Sequence, residues 1–191
     1  MIKNFEVPSH ISSHVEKVIL SEGMKWTFRR YTISTESTKQ FNKKYKISKK
    51  IGNYKILEKC WFQKVILSKD QFDKDLFREM KSLQDFIALK VIEKPVEVVR
   101  VYTNIFLYSS ENGISQPHVD IEDDNYISCV YYVNNSSGDT IIFDDRKNIV
   151  KSIPPKKGTG VLFDSNMLHS GSYPKEENEP RFVMNFLFRY V

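Results

Sequence analysis

The C-terminal half of the chain is a series of short apolar runs separated by turn-forming residues. The runs are YISCVYYVNN, SSGDTIIFDD, PPKKGTGVLFDSNMLHSGSYP and EPRFVMNFLFRY, with Gly, Pro, Asn and Asp between them. Short strands at regular intervals with turn signals between them are typical of antiparallel sandwiches and jelly rolls, not of helix-crossover units. The pattern therefore predicts a mainly β architecture of the jelly-roll type.

The last of these runs has two different faces. Phe182, Met184, Phe186 and Phe188 alternate with Arg181, Val183, Asn185 and Leu187. Successive side chains of a strand point to opposite sides of the sheet, so one face is apolar and the other carries a cation and an amide. If the apolar face packs against neighbouring elements, Arg181 and Asn185 point into an internal cavity. A guanidinium placed there can hold a carboxylate through two hydrogen bonds.

The N-terminal half contains helical and extended patterns. One helix is predicted from about His10 to Leu20, and Ser68-Lys69-Asp70 is expected to cap a second. Apolar side chains of the second helix recur at steps of three and four residues, at Phe72, Leu76, Phe77, Met80, Leu83, Phe86 and Ile87. The apolar runs between Ile51 and Leu67 predict further strands.

These patterns predict a mainly β fold with flanking helices, an α+β composition. We expect residues 1–95 to supply helices and additional strands that buttress a β core formed by residues 96–191. Because 191 residues suit one domain and nothing marks a linker, we expect a single compact domain.

The segment from Ser34 to Lys50, STESTKQFNKKYKISKK, is polar and rich in lysine. One interpretation is a mobile, solvated loop. The other is a lid or docking surface for an anionic or extended substrate, in which Phe41 and Tyr45 supply apolar contact.

Composition excludes several classes of protein. No run approaches the length of a membrane span, and MIKNFEVPSH has no signal-peptide core, so we expect a cytoplasmic protein without a membrane partner. Cys60 and Cys129 are far apart and lack metal-ligand spacing, so no disulfide framework is expected. The net charge of +5 permits a nucleic-acid partner without requiring one, and oligomeric state is not predicted.

His118, Asp120 and His169 offer a ligand set for one metal ion. In a strand, His118 and Asp120 point to the same side because one residue separates them. Two imidazoles and one carboxylate on one face leave the opposite metal positions open, as in non-haem Fe(II) oxygenases. His10 and His14 form another spaced pair, but no third ligand accompanies them, so we expect an exposed helix face there.

Taken in order, QPHVD, CVYYVN, the GDT turn, PKKGTGVLFDSNMLH and PRFVMNF resemble motifs of the Fe(II)/2-oxoglutarate-dependent oxygenases, and among them the prolyl 4-hydroxylase-like group. The resemblance runs from about Val98 to the end and implies a double-stranded β-helix, a cupin-like jelly roll. It also implies that Arg181 binds the 5-carboxylate of 2-oxoglutarate. The residues that it implies as Fe(II) ligands are His118, Asp120 and His169, and those around the cosubstrate are Tyr108, Tyr132, Asn185 and Thr140.

The activity implied by the resemblance is hydroxylation of a C–H bond, with release of succinate and CO2. It requires Fe(II), 2-oxoglutarate and O2, with ascorbate as an optional reductant, and no catalytic residue beyond the metal ligands. Halogenases of this superfamily lack the carboxylate ligand, so Asp120 favours hydroxylation. The prolyl hydroxylase group suggests a peptidyl proline as substrate, while a nucleic-acid base or a small metabolite stays open.

Two other classes of protein use parts of the same pattern. A non-oxygenase cupin can hold zinc or a structural metal with the same ligands, but it has no need of Arg181 placed for a dicarboxylate. A nucleic-acid binding module would use the basic segment from Ser34 to Lys50, and its binding would weaken steeply with salt.

Overall fold

The computed structural model describes residues 1–29, 36–47, 49–57 and 59–191, and for residues 36–38 the backbone alone. The strands within them are β1 (Ile2–Glu6), β2 (Thr27–Arg29), β3 (Lys50–Ile51), β4 (Tyr54–Ile56), β5 (Trp61–Leu67), β6 (Val96–Phe106), β7 (Gly113–Ile114), β8 (Tyr126–Tyr132), β9 (Thr140–Phe143), β10 (Ile149–Ile153), β11 (Thr159–Asp164), β12 (His169–Gly171) and β13 (Arg181–Tyr190). The helices are α1 (Ser9–Ile19), α2 (Glu36–Lys44), α3 (Lys74–Glu79), α4 (Lys81–Phe86) and a π-helical segment (Ile87–Ile92). The predicted combination of a mainly β chain with flanking helices is confirmed.

Two sheets enclose the C-terminal core. One is a seven-stranded antiparallel sheet with the order β1-β11-β8-β13-β6-β5-β2, and the other has the order β10-β9-β12. Between them, Ile142 and Ile153 of the smaller sheet pack against Val130, Phe163 and Val183 of the larger one. Strands distant in sequence are neighbours in both sheets, as in the predicted double-stranded β-helix. A third small sheet has the order β3-β4-β7.

The opposite face of the seven-stranded sheet carries α1, α3, α4 and the π-helical segment. Met184, Phe186 and Phe188 of β13 share one buried cluster with side chains of α1 and α4. Arg181 and Asn185 of the same strand line an internal cavity on the other side. The predicted alternation of this strand is therefore confirmed. Both halves of the chain contribute to the cluster, but a boundary between residues 95 and 96 stays a prediction.

The N-terminal elements follow the predicted pattern except at one helix cap. α1 matches the first predicted helix, and β3, β4 and β5 fill the predicted extended region. α3 begins after Asp73, whose carboxylate accepts a hydrogen bond from the backbone N–H of Leu76 at 3.1 Å. The predicted cap at Ser68-Lys69-Asp70 is wrong, because the Ser68 hydroxyl instead accepts from the N–H of Gln71 before the helix. No helix among the described residues is long and apolar enough to cross a lipid bilayer.

The basic segment predicted as a loop or lid contains α2. Residues 34, 35 and 48 of this segment lie outside the part of the chain that the structure describes. Phe41 packs against the buried cluster that includes Ile141 and Phe143 of β9, and its ring stacks on that of Tyr45 with centroids 4.4 Å apart. The described part of this segment is thus a docked helix and not a solvated loop, because Phe41 has an apolar partner in the smaller sheet.

Candidate metal and cosubstrate site

The three predicted metal ligands meet at one place, with ligand atoms within 4.8 Å of one another. His169 begins β12, and His118 forms a bridge with it in which each backbone N–H donates to the other residue's carbonyl oxygen at 2.9 Å. The N–H of Asp120 donates to the carbonyl of Ser165 at 3.0 Å. Backbone pairing therefore closes the long sequence gap between the two histidines.

Both imidazoles are oriented by the backbone. Nδ1 of His118 lies 3.0 Å from the carbonyl oxygen of Gln116, and Nδ1 of His169 lies 3.0 Å from that of Met167. A carbonyl oxygen only accepts, so each Nδ1 carries the proton and donates it. This fixes the tautomer and leaves each Nε2 with a free lone pair, the arrangement expected of a metal-binding histidine.

Both oxygens of Asp120 are engaged. Oδ1 accepts from the guanidinium of Arg100, and Oδ2 accepts from the Ser128 hydroxyl at 2.6 Å. Burial raises the pKa of Asp120, but the charges of His169, Arg100 and His118, together with the Ser128 hydrogen bond, lower it to about 2. The carboxylate is therefore ionised at neutral pH.

The surroundings of His169 keep its imidazole neutral. Burial lowers the pKa of His169, and the charge of His118 lowers it further, to about 4, although Asp120 raises it. The ring of Phe163 contacts the imidazole in an edge arrangement with centroids 4.7 Å apart. A metal must displace the proton from a protonated histidine, so a neutral imidazole binds metal at neutral pH without that competition.

A cavity of about 380 Å³ opens beside the triad. Its volume is that of a small-molecule or cofactor site. Alternate residues of β6 and β13 form one wall, and β5 extends it. The lining from these strands comprises Arg100, Tyr102, Asn104 and Phe106, then Arg181, Val183 and Asn185, then Trp61 and Gln63.

Arg181 is a buried cation in this cavity, 2% exposed. Its Nη2 donates to Thr140 Oγ1 at 2.7 Å, and its guanidinium lies 5.1 Å from the centroid of the Phe106 ring. Burial lowers the pKa of Arg181, while the charges of Tyr132 and Asp139 raise it. Among the described residues, no carboxylate forms an ion pair with Arg181, and its Nε has no hydrogen-bond partner.

A buried guanidinium without an acidic partner is costly unless an external anion binds it. Gly171 leaves room beside it, because a Cβ at that position would lie 2.5 Å from Arg181 Nη1. The end of the cavity around Arg181 is therefore suited to an anionic group.

The predicted cosubstrate residues occupy different positions. Thr140 and Asn185 lie on the cavity wall. Tyr132 is fully buried behind Arg181, whose guanidinium is 6.0 Å from its ring centroid, and burial raises the pKa of Tyr132 to about 12. Tyr108 follows the end of β6 and lies outside the lining, where Phe106 contacts Arg181 instead. Their roles in cosubstrate binding stay predictions.

Several wall residues were not predicted from the sequence. Arg100, Tyr102 and Asn104 occupy every second position of β6, and the amide of Gln63 donates to Asn104 Oδ1 at 3.1 Å. The signal that identified the cavity face of β13 is also present in β6. Ser128, which bonds Asp120, carries no comparable signal.

Phe41 of α2 and Tyr45, the residue that follows α2, were predicted as lid residues, and both contact the surroundings of the segment that carries His118 and Asp120. The hydroxyl of Tyr45 donates to Glu122 Oε1 at 2.7 Å, and Gln116 Nε2 donates to Asn42 Oδ1 at 2.7 Å. Gln116 and Glu122 flank the segment that carries His118 and Asp120. α2 is thus fastened to the metal-ligand segment from outside.

The model of the 2OG-Fe(II) oxygenase superfamily matches residues 103–189. That region contains the triad and Arg181. No curated protein sequence matches the chain.

Several solved structures resemble the whole chain. One is EctD from S. alaskensis with bound Fe, with a TM-score of 0.55 and 11% identity, covering 99% of this chain and 72% of that one. Another is AviO1 from Streptomyces viridochromogenes Tue57, with a TM-score of 0.55 and 12% identity, covering 98% and 89%. A third is an oxidoreductase of the 2OG-Fe(II) oxygenase family from Burkholderia pseudomallei, with a TM-score of 0.54 and 9% identity, covering 97% and 93%. At these identities the likeness demonstrates a shared fold.

The jelly-roll fold, the His-x-Asp…His triad and the family match together define a class, the 2-oxoglutarate-dependent dioxygenases. Residues 103–189 carry the match to the 2OG-Fe(II) oxygenase superfamily. The family resemblance predicted from the motifs is confirmed at this level.

Proposed function

We propose that His118, Asp120 and His169 bind one Fe(II) ion, that Arg181 binds the 5-carboxylate of 2-oxoglutarate, and that the protein hydroxylates a substrate C–H bond. One observation supports this proposal: a buried arginine that pairs with no carboxylate of the described residues shares a cavity with a two-histidine, one-carboxylate cluster. A cupin that holds only a structural metal has no need of that buried cation.

The donor set fits Fe(II). Two Nε2 lone pairs and one ionised carboxylate match the ligands of non-haem iron oxygenases. When bound, Fe(II) activates O2 and couples decarboxylation of 2-oxoglutarate to oxidation of the substrate. The carbonyls of Gln116 and Met167 hold the imidazoles in place.

The cosubstrate side is organised by hydrogen bonding. Thr140 orients the guanidinium of Arg181 and leaves its other N–H groups for a carboxylate. Phe106 contributes an apolar wall that excludes water and strengthens this interaction. We assign Asn185 and Tyr132 to the same pocket as supporting residues, and Tyr108 to its outer margin.

For the substrate we propose a peptidyl proline. The prolyl hydroxylase resemblance of the motifs supports it, and the cavity wall offers Trp61, Tyr102 and Tyr173, whose rings can pack against a pyrrolidine ring. We also propose a cytoplasmic location, since Cys60 and Cys129 are both unpaired.

The metal and cosubstrate assignments are tested by anaerobic addition of Fe(II) and 2-oxoglutarate, followed by absorption spectroscopy. We expect a metal-to-ligand charge-transfer band in the wild type and none in His118→Ala, Asp120→Ala or His169→Ala. His14→Ala is the matched control, because its imidazole lies on an exposed helix face. A full band in His169→Ala would refute the assignment.

The substrate is tested by succinate release above the substrate-free rate. Prolyl peptides, single-stranded oligonucleotides and amino acids should be compared at equal concentration. Stimulation by the peptides alone, with hydroxyproline detected by mass spectrometry, supports the proposal. Stimulation by oligonucleotides or amino acids alone would replace peptidyl proline with that class.

A further inference from the structure

We propose that Arg100 is a positioning residue that restricts Asp120 to one metal-binding oxygen and so keeps a coordination position open for O2. The inference rests on the proposed function, because it takes the triad as an Fe(II) site. Arg100 would touch neither the substrate nor the metal in this role and would act only through Asp120.

The two oxygens of Asp120 face different partners. Oδ2 accepts a hydrogen bond from the neutral Ser128 hydroxyl and lies 3.7 Å from Nε2 of His169, so this oxygen points toward the histidine donors. Oδ1 is paired with Nη2 of Arg100. The oxygen that would complete chelation of a metal is thus already held by a charge-assisted hydrogen bond.

Arg100 is positioned by its strand and by a neighbouring ring. The strand register places Leu187 of β13 opposite Ser128 on one side and Arg100 on the other. The two groups that hold Asp120 therefore come from one cross-strand row of the larger sheet. The guanidinium also lies 5.3 Å from the centroid of the Tyr102 ring, where a cation–π contact restricts it further.

The restriction of Asp120 to one oxygen matters because the metal has a limited number of ligand positions. An Fe(II) ion held by three protein ligand atoms would keep its remaining positions open for 2-oxoglutarate and O2. Carboxylates also bind metals through both oxygens. If Asp120 did so, it would fill the position that O2 requires.

The experiment compares Arg100→Gln with Arg189→Gln, which removes an exposed arginine of the same sheet that pairs with Glu97. Two quantities are measured anaerobically. The first is the affinity of the protein for Mn(II) alone. The second is the affinity of the Fe(II)·2-oxoglutarate complex for nitric oxide, which takes the O2 position and is followed by its EPR signal.

We expect Arg100→Gln to bind nitric oxide about tenfold more weakly or worse, the size expected for loss of a charge-assisted hydrogen bond. Its affinity for Mn(II) should stay equal or increase, because the second oxygen becomes available and a neighbouring cation is removed. Arg100→Lys, which retains the charge, should fall between. Arg189→Gln should match the wild type in both measurements.

Two results would overturn the inference: unchanged nitric oxide affinity in Arg100→Gln, or a parallel loss of Mn(II) and nitric oxide binding, which a merely structural role would produce. Failure of the proposed function has a different signature, since wild-type protein would then bind neither metal nor 2-oxoglutarate at the triad.

Discussion

The two arginines of the cavity differ in what balances their charge. Arg100 is paired with Asp120 and keeps 23% of its side chain exposed. Arg181 is buried, and no carboxylate of the described residues pairs with it. The strand register places Arg181 opposite Phe106, six residues along β6 from Arg100, which corresponds to roughly 20 Å between their backbones.

The charge of Arg100 is thus neutralised within the fold, whereas the charge of Arg181 is available to a ligand. A buried ion pair costs stability when one partner is removed, because the other is left without compensation. A buried ion without a partner already carries that cost before any substitution. Changes at the two arginines should therefore affect folding in opposite directions and ligand binding to different degrees.

The largest effect is expected for Arg181→Met. The 5-carboxylate of 2-oxoglutarate would lose its charged partner in a partly dry pocket, at a cost of about 2–5 kcal/mol in cosubstrate binding. The half-saturating 2-oxoglutarate concentration for succinate formation should rise accordingly. Without cosubstrate, the variant should be as stable as the wild type or more so.

Arg181→Lys is the companion variant. It retains the charge but loses the planar fork, so it should fall between the wild type and Arg181→Met. Unchanged half-saturation in Arg181→Met would mean that another cation, such as Arg100, holds the cosubstrate.

The next effect is expected for Arg100→Met and has the opposite sign in folding. Asp120 would keep a mostly buried charge without its main cation, and we expect a loss of about 2 kcal/mol in the unfolding free energy of the metal-free protein. This lies below the range for fully buried pairs, because Arg100 is partly exposed. Urea denaturation in the presence of a chelator measures it.

The double variant Arg100→Met/Asp120→Asn sharpens this test. Removing both charges should recover most of the lost stability, since no ion is then left unpaired. Strict additivity of the two single substitutions would contradict the ion-pair interpretation.

The sequence predicted one of these arginines and not the other. The position of Arg181 could be predicted because apolar and other residues alternate along β13, so the pattern shows which face each side chain occupies. The pairing of Arg100 with Asp120 depends on the register of β6 against β13, which shifts at a bulge between Leu187 and Phe188. Long-range register of that kind is not encoded in local periodicity.

The same limit explains why the helix in the basic segment was not predicted. α2 is polar, and short polar helices gain their stability mainly from tertiary packing and not from propensity. Phe41 docks against buried residues of β9, which are far away in sequence. The triad residues could be proposed because His118 and Asp120 are two residues apart and because each histidine lies in a local motif.

An effect of comparable size is expected when His169, at the metal-ligand end of the cavity, is titrated. His169 has a folded-state pKa of about 4 against an ordinary value of 6.5, so the unfolded chain binds more protons between these values. Its contribution to stability is complete above pH 6.5 and is lost as the pH falls toward 4. The loss is at most about 3 kcal/mol.

Urea denaturation of the metal-free protein between pH 7 and pH 4 measures this dependence. Asp120, with a pKa of about 2, stays ionised over the whole window. His169→Asn has no titrating group at this position and is the control, so its unfolding free energy should depend less on pH. Equal slopes for the two proteins would assign the pH dependence to other groups.

The smallest effect is expected outside the cavity, where α2 fastens the segment that carries His118 and Asp120. We propose that this contact helps the Asp120 end of the cavity to exclude water during turnover. Tyr45→Phe removes the hydrogen bond to Glu122 and should lower stability only slightly, because this hydrogen bond is exposed to solvent. Coupling should loosen, so that less hydroxylated product forms per succinate.

Product and succinate are counted together in this variant, with a substrate from the succinate screen. Tyr54→Phe is the matched control, because Tyr54 packs against the same buried cluster from β4. We expect the ratio of product to succinate to fall in Tyr45→Phe and to stay at the wild-type value in Tyr54→Phe. An unchanged ratio in both variants would leave α2 as a structural helix, and the difference between the two ends of the cavity would then lie in their charges alone.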